Sequence, residues 1–407
     1  MMENNQKLSM RWFYMIVGVI AMLFAGVLYA WSILKAPLTA EFGWGASELA
    51  LNFTIAMTFF CVGGLFGARL SGKKGHRIAL IIAGVLSMLG FVITGFLRNA
   101  PVEYLYITYG VLAGLGIGIA YNVVISTVSA WFPDKKGLCS GCLMMGFGAS
   151  ALILGNIANS LFKSELGWRN TYMILGASIF VILLLAALIL KKPHPEMIFP
   201  QNKVIKNTKA EEIKNCDYTT LQMLRRSSFW MAFICISFLA AVGSSVISFA
   251  KDLSLSVGAA ESLAVSLVGV LSVCNGLGRI ITGAVFDAVG RRKTMLCANL
   301  LTICAAGVTL LAVLIGSLPL CIVGLCLSGL SYGSCPTITA AFTSSFFGMK
   351  HFSNNMALMT FTSMAGSFVA TASNKVLEAT GGYAAAFVML LSMTVLSLVL
   401  NIFIRKQ

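Results

Sequence analysis

Twelve uninterrupted apolar stretches, bounded by charges, prolines or glycines, follow one another along the chain. They lie at about 12–34, 47–68, 78–97, 102–130, 138–161, 170–190, 227–250, 259–285, 294–315, 318–342, 354–374 and 383–404. Each comes close to or exceeds the roughly 20 residues that a helix needs to cross a hydrocarbon core. In lipid every backbone polar group must find its partner inside the protein, so runs of this kind are read as helices. Between the sixth and seventh runs stands a long polar segment, 191–226, rich in Lys, Glu and Asn and opening with Pro193 and Pro195. The pattern predicts an all-α membrane protein of twelve transmembrane helices, with six-helix halves at 1–190 and 227–407 joined by a linker at 191–226.

Composition agrees and narrows the function. With 58% hydrophobic and 11% charged residues, the surface cannot be solvated by water alone. Twelve crossings use most of the 407 residues, which leaves no room for a large catalytic domain outside the bilayer. The three histidines, His76, His194 and His351, all fall between runs, so no Ser, His and Asp set converges within the spans and an enzyme is not expected. The apolar run after Trp12 is too long for a signal peptide and lacks a small-residue cleavage site, so it is read as the first span. Eleven cysteines, an odd number, sit mostly within apolar runs, where cysteine behaves as a small hydrophobe. Cys139 and Cys142 have the spacing of half a zinc site, but no second pair lies at ligand spacing. No metal and no cofactor are expected.

The net charge of +15 resolves into topology, with no need of a nucleic-acid partner. With both termini cytoplasmic, 22 of the 29 Lys and Arg fall at inner loops and termini, 16 of them in the termini, the linker and the loops carrying Arg69, Lys73, Lys74 and Arg77. Six more, Lys35, Arg98, Lys163, Arg169, Lys251 and Lys375, fall at outer ends, while the acidic residues divide evenly. This is the positive-inside bias, and it predicts a multi-pass protein of the plasma (inner) membrane with cytoplasmic ends. The remaining basic residue, Arg279, lies in the middle of the eighth run.

The halves repeat one another. Gly75 answers Gly290 and Arg77 answers Arg292, each 215 residues on; Trp131-Phe132 answers Phe346-Phe347, and Gly167-Trp168 answers Gly382-Tyr383, at the same offset. Duplicated six-helix halves sharing a midplane site are the architecture expected of a transporter that opens alternately to each side. The loop from Gly283 to Arg292 has its own logic. A small residue at 283 lets two helices approach, Asp287 ends the eighth helix, and Gly290, Arg291 and Arg292 turn the chain and offer charges that could latch one conformation. A plain solvated basic loop is the alternative. Glycine, aspartate, glycine and paired arginines at this spacing resemble the hallmark loop of the major facilitator superfamily. In the first-half copy Gly72 stands where that family usually has aspartate.

Arg279 carries the strongest chemical signal. A guanidinium at mid-bilayer costs at least about 2.5 kcal/mol, and such residues face a cavity or a partner. Asn275 and Thr282 share its helical face, but the spans contain no clear acidic partner. An arginine so placed suits an anionic substrate, most naturally a carboxylate held by two parallel hydrogen bonds. A structural arginine serving backbone carbonyls is the alternative. Tyr29, Trp31, Tyr121 beside Asn122, and Tyr332 present polar-tipped aromatics at comparable depth, though each could simply pack. Pro336 deprives the Tyr332 carbonyl of its helical donor, so the tenth helix should bend there. The glycines at 114, 116 and 118 imitate a phosphate loop, but with no strand before them they are read as helix packing.

Arg11-Trp12-Phe13-Tyr14, Tyr29-Ala30-Trp31 with Pro37, Trp131-Phe132-Pro133-Asp134-Lys135-Lys136-Gly137, and Asn275-Gly276 with Arg279 resemble the oxalate:formate antiporter family over essentially the whole length. The resemblance implies small carboxylates as substrates and the arginine as their anchor. Oxalate-exchanging members have a lysine in the eleventh span, where this chain has Thr362. One cation fits a monocarboxylate such as formate, lactate or pyruvate better than a dianion. The expectation is a monomeric carrier of small organic anions working by alternating access, with exchange favoured over proton symport. Arg279, Asn275, Tyr29, Tyr121, Tyr332, Trp31 and Thr362 bind substrate; Gly283, Asp287, Gly290, Arg291, Arg292 and Pro336 govern gating. An oxalate:formate exchanger and a transporter-like carboxylate sensor signalling through the linker stand as alternatives.

Overall fold

A computed structural model describes residues 2–194, 197, 199 and 217–404. The rest of the predicted linker and the last three residues, Arg405 and Lys406 among them, lie outside the described residues. Among the described residues, twelve helices are long and apolar enough to cross a membrane. They are α1 Met10–Ala30, α2 Leu51–Lys74, α3 His76–Phe96, α4 Val102–Ser129, α5 Lys136–Phe162, α6 Gly167–Ile189, α7 Ser227–Ser256, α8 Ser266–Val289, α9 Arg291–Ile315, α10 Leu318–Phe347, α11 Phe352–Leu377 and α12 Tyr383–Phe403. Large apolar side chains such as Ile16, Phe66, Ile107, Leu188, Leu314 and Phe403 stay exposed, as a lipid-solvated surface requires. The chain divides into two compact units, Met1–Pro133 with Cys142–Pro200, and Asp134–Gly141 with Gln201–Gln407.

In the first unit α4 is the central wedge. Gly114 and Gly118 lie against the backbones of Ala56 and Phe60 on α2, while Gly116 lies against Ser87 and the Ala83 carbonyl on α3. The glycine run is therefore a two-sided packing surface, because only hydrogen at those positions lets backbones come this close. Gly63 and Gly67 return the contact onto Leu115 and Ile119. Two spans depart from α geometry. The end of α1 tightens into a 3-10 turn over Gly26–Ala30 before the helix Trp31–Phe42, and α4 widens to a π form over Tyr106–Ala113. At the end of the helix Trp31–Phe42, Glu41 accepts from Arg169 Nη1 at 2.9 Å and Nη2 at 2.6 Å, and from Trp168 Nε1 at 2.6 Å. The Arg169 bonds hold the Glu41 carboxyl below its ordinary range. This clasp is present above the normal carboxylate pKa and is lost as pH falls through the lowered one.

In the second unit, α8 and α10 approach through glycines on both sides: Gly278 meets the Leu330 carbonyl, Gly329 that of Leu271, and Gly333 that of Asn275. Buried polar groups cross-link the remaining helices. Ser397 Oγ donates to Asn299 Oδ1 at 2.7 Å, Thr302 and Ser331 share a bond of 2.5 Å, and Ser245 Oγ donates to Ser373 Oγ at 3.1 Å. Helix α7 leaves helical geometry at Phe249 (φ −125°, ψ 16°), and α11 is interrupted at Thr360 between Phe352–Met359 and Phe361–Thr380. The end of the predicted linker is not loose chain. Thr219 and Gln222 form a capping box for the short helix Thr220–Leu224. Tyr218 N–H donates to the Phe347 carbonyl at 3.0 Å, Lys350 N–H to Asp217 Oδ1 at 3.1 Å, and Asn355 Nδ2 to the Tyr218 carbonyl at 2.9 Å. These bonds fasten 217–226 to the turn between α10 and α11, a contact that polar composition alone cannot reveal.

Candidate functional site

Helix α8 carries Arg279 midway along its 24 residues, and the side chain is buried, 2% exposed. Its Nε donates to Asn275 Oδ1, one turn earlier, at 3.3 Å. The neutral amide thus satisfies part of the guanidinium without cancelling its charge, and the lone cation read from the sequence has a built partner on its own helix. Three backbone contacts fix where that charge stands. Gly333 of α10 lies against the Asn275 carbonyl and the Arg279 nitrogen, Gly141 lies against the Arg279 carbonyl, and Thr337 Oγ donates to the same carbonyl at 3.2 Å. Thr337 follows Pro336, through which α10 runs as one helix from Leu318 to Phe347. Gly141, Gly333 and Thr337 went unnoticed in the sequence, although the Gly329 and Gly333 pair at helical spacing and the proline beside Thr337 were available signals.

Two other predicted residues of this unit stand on different helices. Tyr332 is half-buried, its ring laid over Gly243 of α7. Thr362 is buried just past the interruption of α11, and its Oγ donates to the Met359 carbonyl at 2.7 Å. Its hydroxyl serves its own backbone, in keeping with a site that carries no second cation at that position.

In the first unit, Tyr29 on the 3-10 turn and Tyr121 on α4 converge on one ring. Phe147 lies edge-on to Tyr29 at 5.1 Å and to Tyr121 at 5.1 Å, and Phe60 joins edge-on to Tyr121 at 4.9 Å. The Tyr121 hydroxyl donates to Met144 Sδ at 3.1 Å. Phe60, Phe147 and Met144 complete this aromatic box; with no polar tip, they carried no signal in the sequence. Trp31 stands apart from it, with its indole N–H on the Leu49 carbonyl at 3.1 Å and its ring against Tyr109 at 4.6 Å.

The hallmark loop also acquires partners. Asp287 accepts from the Gly137 N–H at 2.9 Å and the Leu138 N–H at 2.8 Å, capping the first turn of α5 with both carboxylate oxygens. Gly283 faces the Gly137 carbonyl at the closest approach, so no side chain intervenes. A carboxylate on exposed helix N–H groups gains from both hydrogen bonding and the helix dipole. Gly290 turns the chain at φ 78°. Arg291 lies over the Phe346 ring at 4.5 Å and near Phe342 at 5.8 Å, a cation–π seat, while Arg292 is exposed. Asp287→Ala strands two helix-terminal N–H groups and should lower stability by about 1–2 kcal/mol, with Asp287→Asn between it and wild type. Thermal unfolding in detergent reads the order; an unchanged midpoint for the alanine variant would remove the cap from the account.

Comparison with known proteins follows the same lines. The sequence profile of the Major Facilitator Superfamily matches residues 14–371 and 234–407. An oxalate:formate antiporter of Oxalobacter formigenes is 28% identical over 297 residues, covering 72% of this chain and 67% of the antiporter. Human monocarboxylate transporter 12 is 25% identical over 347 residues, covering 79% of this chain and 66% of that protein. Among solved structures, the proton:xylose symporter XylE superposes with a TM-score of 0.73 at 16% identity, covering 98% of this chain and 96% of XylE. The Escherichia coli fucose:proton symporter FucP gives 0.71 at 14% identity over 97% of this chain and 98% of FucP. At such identities the two structures speak for the fold alone. Twelve apolar helices in duplicated sets of six, this fold and the profile match over most of the chain together mean that the protein belongs to the Major Facilitator Superfamily.

Proposed function

We propose that this chain is a secondary transporter of small organic anions, of the formate, lactate or pyruvate type, that works by alternating access and exchanges one carboxylate for another. The observation that carries the reading is the buried Arg279 at mid-span, oriented by Asn275. A fixed cation in a low-dielectric setting stabilises a bound carboxylate far more than water-exposed lysines do. Relatives named as an oxalate:formate antiporter and monocarboxylate transporters support the substrate class. One deep cation, with Thr362 serving its own helix and Lys375 exposed near the end of α11, favours a monoanion over oxalate. A dianion here would leave one carboxylate poorly compensated.

Tyr29, Tyr121 and Tyr332 orient the substrate, and Trp31 supports them by holding the Leu49 backbone. Gly283, Asp287, Gly290, Arg291 and Arg292 act as a conformational latch through the cap on α5, and Pro336, which has no N–H to donate to the turn before it, makes α10 easier to bend at the gate. The carrier works as a monomer in the plasma (inner) membrane with cytoplasmic termini, in line with the positive-inside bias.

Exchange follows from what the spans lack. Asn275 cannot titrate, and Glu48, Asp252, Glu378 and Asp287 fall at or near span ends, so the sequence offers no deep proton acceptor. A loaded carrier passes through its closed state with the Arg279 charge met by the substrate carboxylate, which lowers the barrier to return below that of the empty carrier. Uptake of labelled formate into proteoliposomes preloaded with formate should therefore exceed uptake into empty vesicles, with little response to an inward proton gradient and weak competition by oxalate. Equal rates with and without preloading, together with acceleration by the gradient, would establish symport; oxalate as the strongest competitor would overturn the monoanion reading. Carboxylate binding without any uptake would make the protein a sensor.

A further inference from the structure

A second ligand site opens on the first unit, on helices other than the one that carries Arg279, and independent of what is transported. A groove of about 400 Å³ runs between α2, α3 and α4, lined by Phe66, Leu70, Ile82, Leu86, Leu115 and Ile119, with Arg69, Lys73 and Lys74 along one end. Its shape follows from the glycines. Gly63 and Gly67 draw α2 down onto Leu115 and Ile119 of α4, so the side chains that flank this contact leave a trough toward α3. On α2 the lining residues recur at three- and four-residue spacing, from Phe66 through Arg69 and Leu70 to Lys73 and Lys74, so one helix face passes from apolar to cationic. Phe66, Arg69, Lys73 and Lys74 are exposed. Among the described residues the three cations make no ion pair or side-chain hydrogen bond.

A basic loop that only sets topology needs charge but no groove, and lipid packing alone needs a groove but no charge. Here both are present in one trough, and the cations occupy the end of span α2, where the hydrocarbon gives way to headgroups. We infer that this groove binds an anionic phospholipid, with an acyl chain along Phe66, Leu86 and Leu115 and the phosphate against Arg69, Lys73 and Lys74. Three unpaired cations at headgroup depth complement a phosphate monoanion, and the apolar lining complements its tail. A zwitterionic lipid offers the same tail but brings its own ammonium to the cationic end.

Native mass spectrometry of the full chain, purified from nanodiscs of phosphatidylglycerol or phosphatidylcholine, counts retained lipid. We expect at least one more phosphatidylglycerol than phosphatidylcholine on wild type. Arg69→Gln/Lys73→Gln/Lys74→Gln should lose that excess, whereas Lys191→Gln/Lys192→Gln, which removes two exposed lysines outside the groove, should keep it. Leu86→Trp, which fills the trough and leaves the cations, should lose it too. Inorganic phosphate at millimolar concentration should not displace the lipid, since it lacks the tail. Equal retention of the two lipids by wild type, or an excess that survives both groove variants, would overturn the assignment. Displacement by inorganic phosphate would make the site one for free phosphate. Should the triple glutamine variant fail to fold, the wild-type comparison and Leu86→Trp still decide.

Discussion

Replacing Arg279 with glutamine is expected to abolish carboxylate transport while leaving a protein that folds and reconstitutes. The guanidinium is buried in the middle of α8, and its backbone is held by Gly333, Gly141 and Thr337 irrespective of the side chain. Removing one partner of a buried, hydrogen-bonded charge pair costs about 2–5 kcal/mol, or roughly thirty- to several-thousand-fold in affinity. In the empty protein the substitution removes the Nε bond to Asn275, at 3.3 Å a long one, and no substrate contact. Its thermal midpoint without substrate should stay within a few degrees of wild type or rise, because a buried charge has been removed. Formate-induced stabilisation should disappear. Lysine should restore only part of the binding, since an ammonium keeps the charge but lacks the two-pronged geometry that fits a carboxylate. Wild-type affinity in a folded glutamine variant would end the anchor role, whatever the fate of the exchange mechanism.

A single methyl group on Gly333 should do comparable damage by a different route. A Cβ there would collide with the Asn275 carbonyl and stand 3.1 Å from the Arg279 nitrogen, both of them backbone atoms that cannot rotate away. Relief requires α8 and α10 to separate. Overpacking of this kind costs about 1–3 kcal/mol, and the shift also stretches the Thr337 bond to Arg279 and moves the guanidinium. Gly333→Ala should therefore lower the melting temperature and weaken substrate binding together. Gly269→Ala on the facing helix α8, where nothing lies within 4 Å of the added carbon, should be neutral or stabilising by up to about 1 kcal/mol, since alanine is the better helix former. Opposite signs for two identical substitutions would separate packing from propensity. An unaffected Gly333→Ala would show that the α8–α10 contact has room that this geometry denies.

What the sequence determined by itself is whatever a bilayer demands of every segment alike. Each of the twelve spans had to be long and apolar on its own account, so their number and approximate limits were readable without knowledge of any neighbour. The depth of Arg279, its helical neighbour Asn275 and the duplicated loops were readable for the same reason, since they depend on spacing within one element. Irregular backbone was less visible: the 3-10 turn under Tyr29, the π segment at Tyr106–Ala113 and the breaks at Phe249 and Thr360 carry no proline or other strong local mark. Tertiary structure alone decided the partners. That Asp287 spends both oxygens on the first turn of α5, that Arg291 rests on Phe346, that Phe147 gathers Tyr29 and Tyr121, and that 217–226 is fastened to the α10–α11 turn all join residues tens to hundreds of positions apart. Such contacts are chosen by the fit of many surfaces at once. Lipid solvates every span about equally well, so hydrophobicity brings a helix into the membrane but does not select its neighbour; close backbone approach at glycines and a few buried hydrogen bonds make that selection.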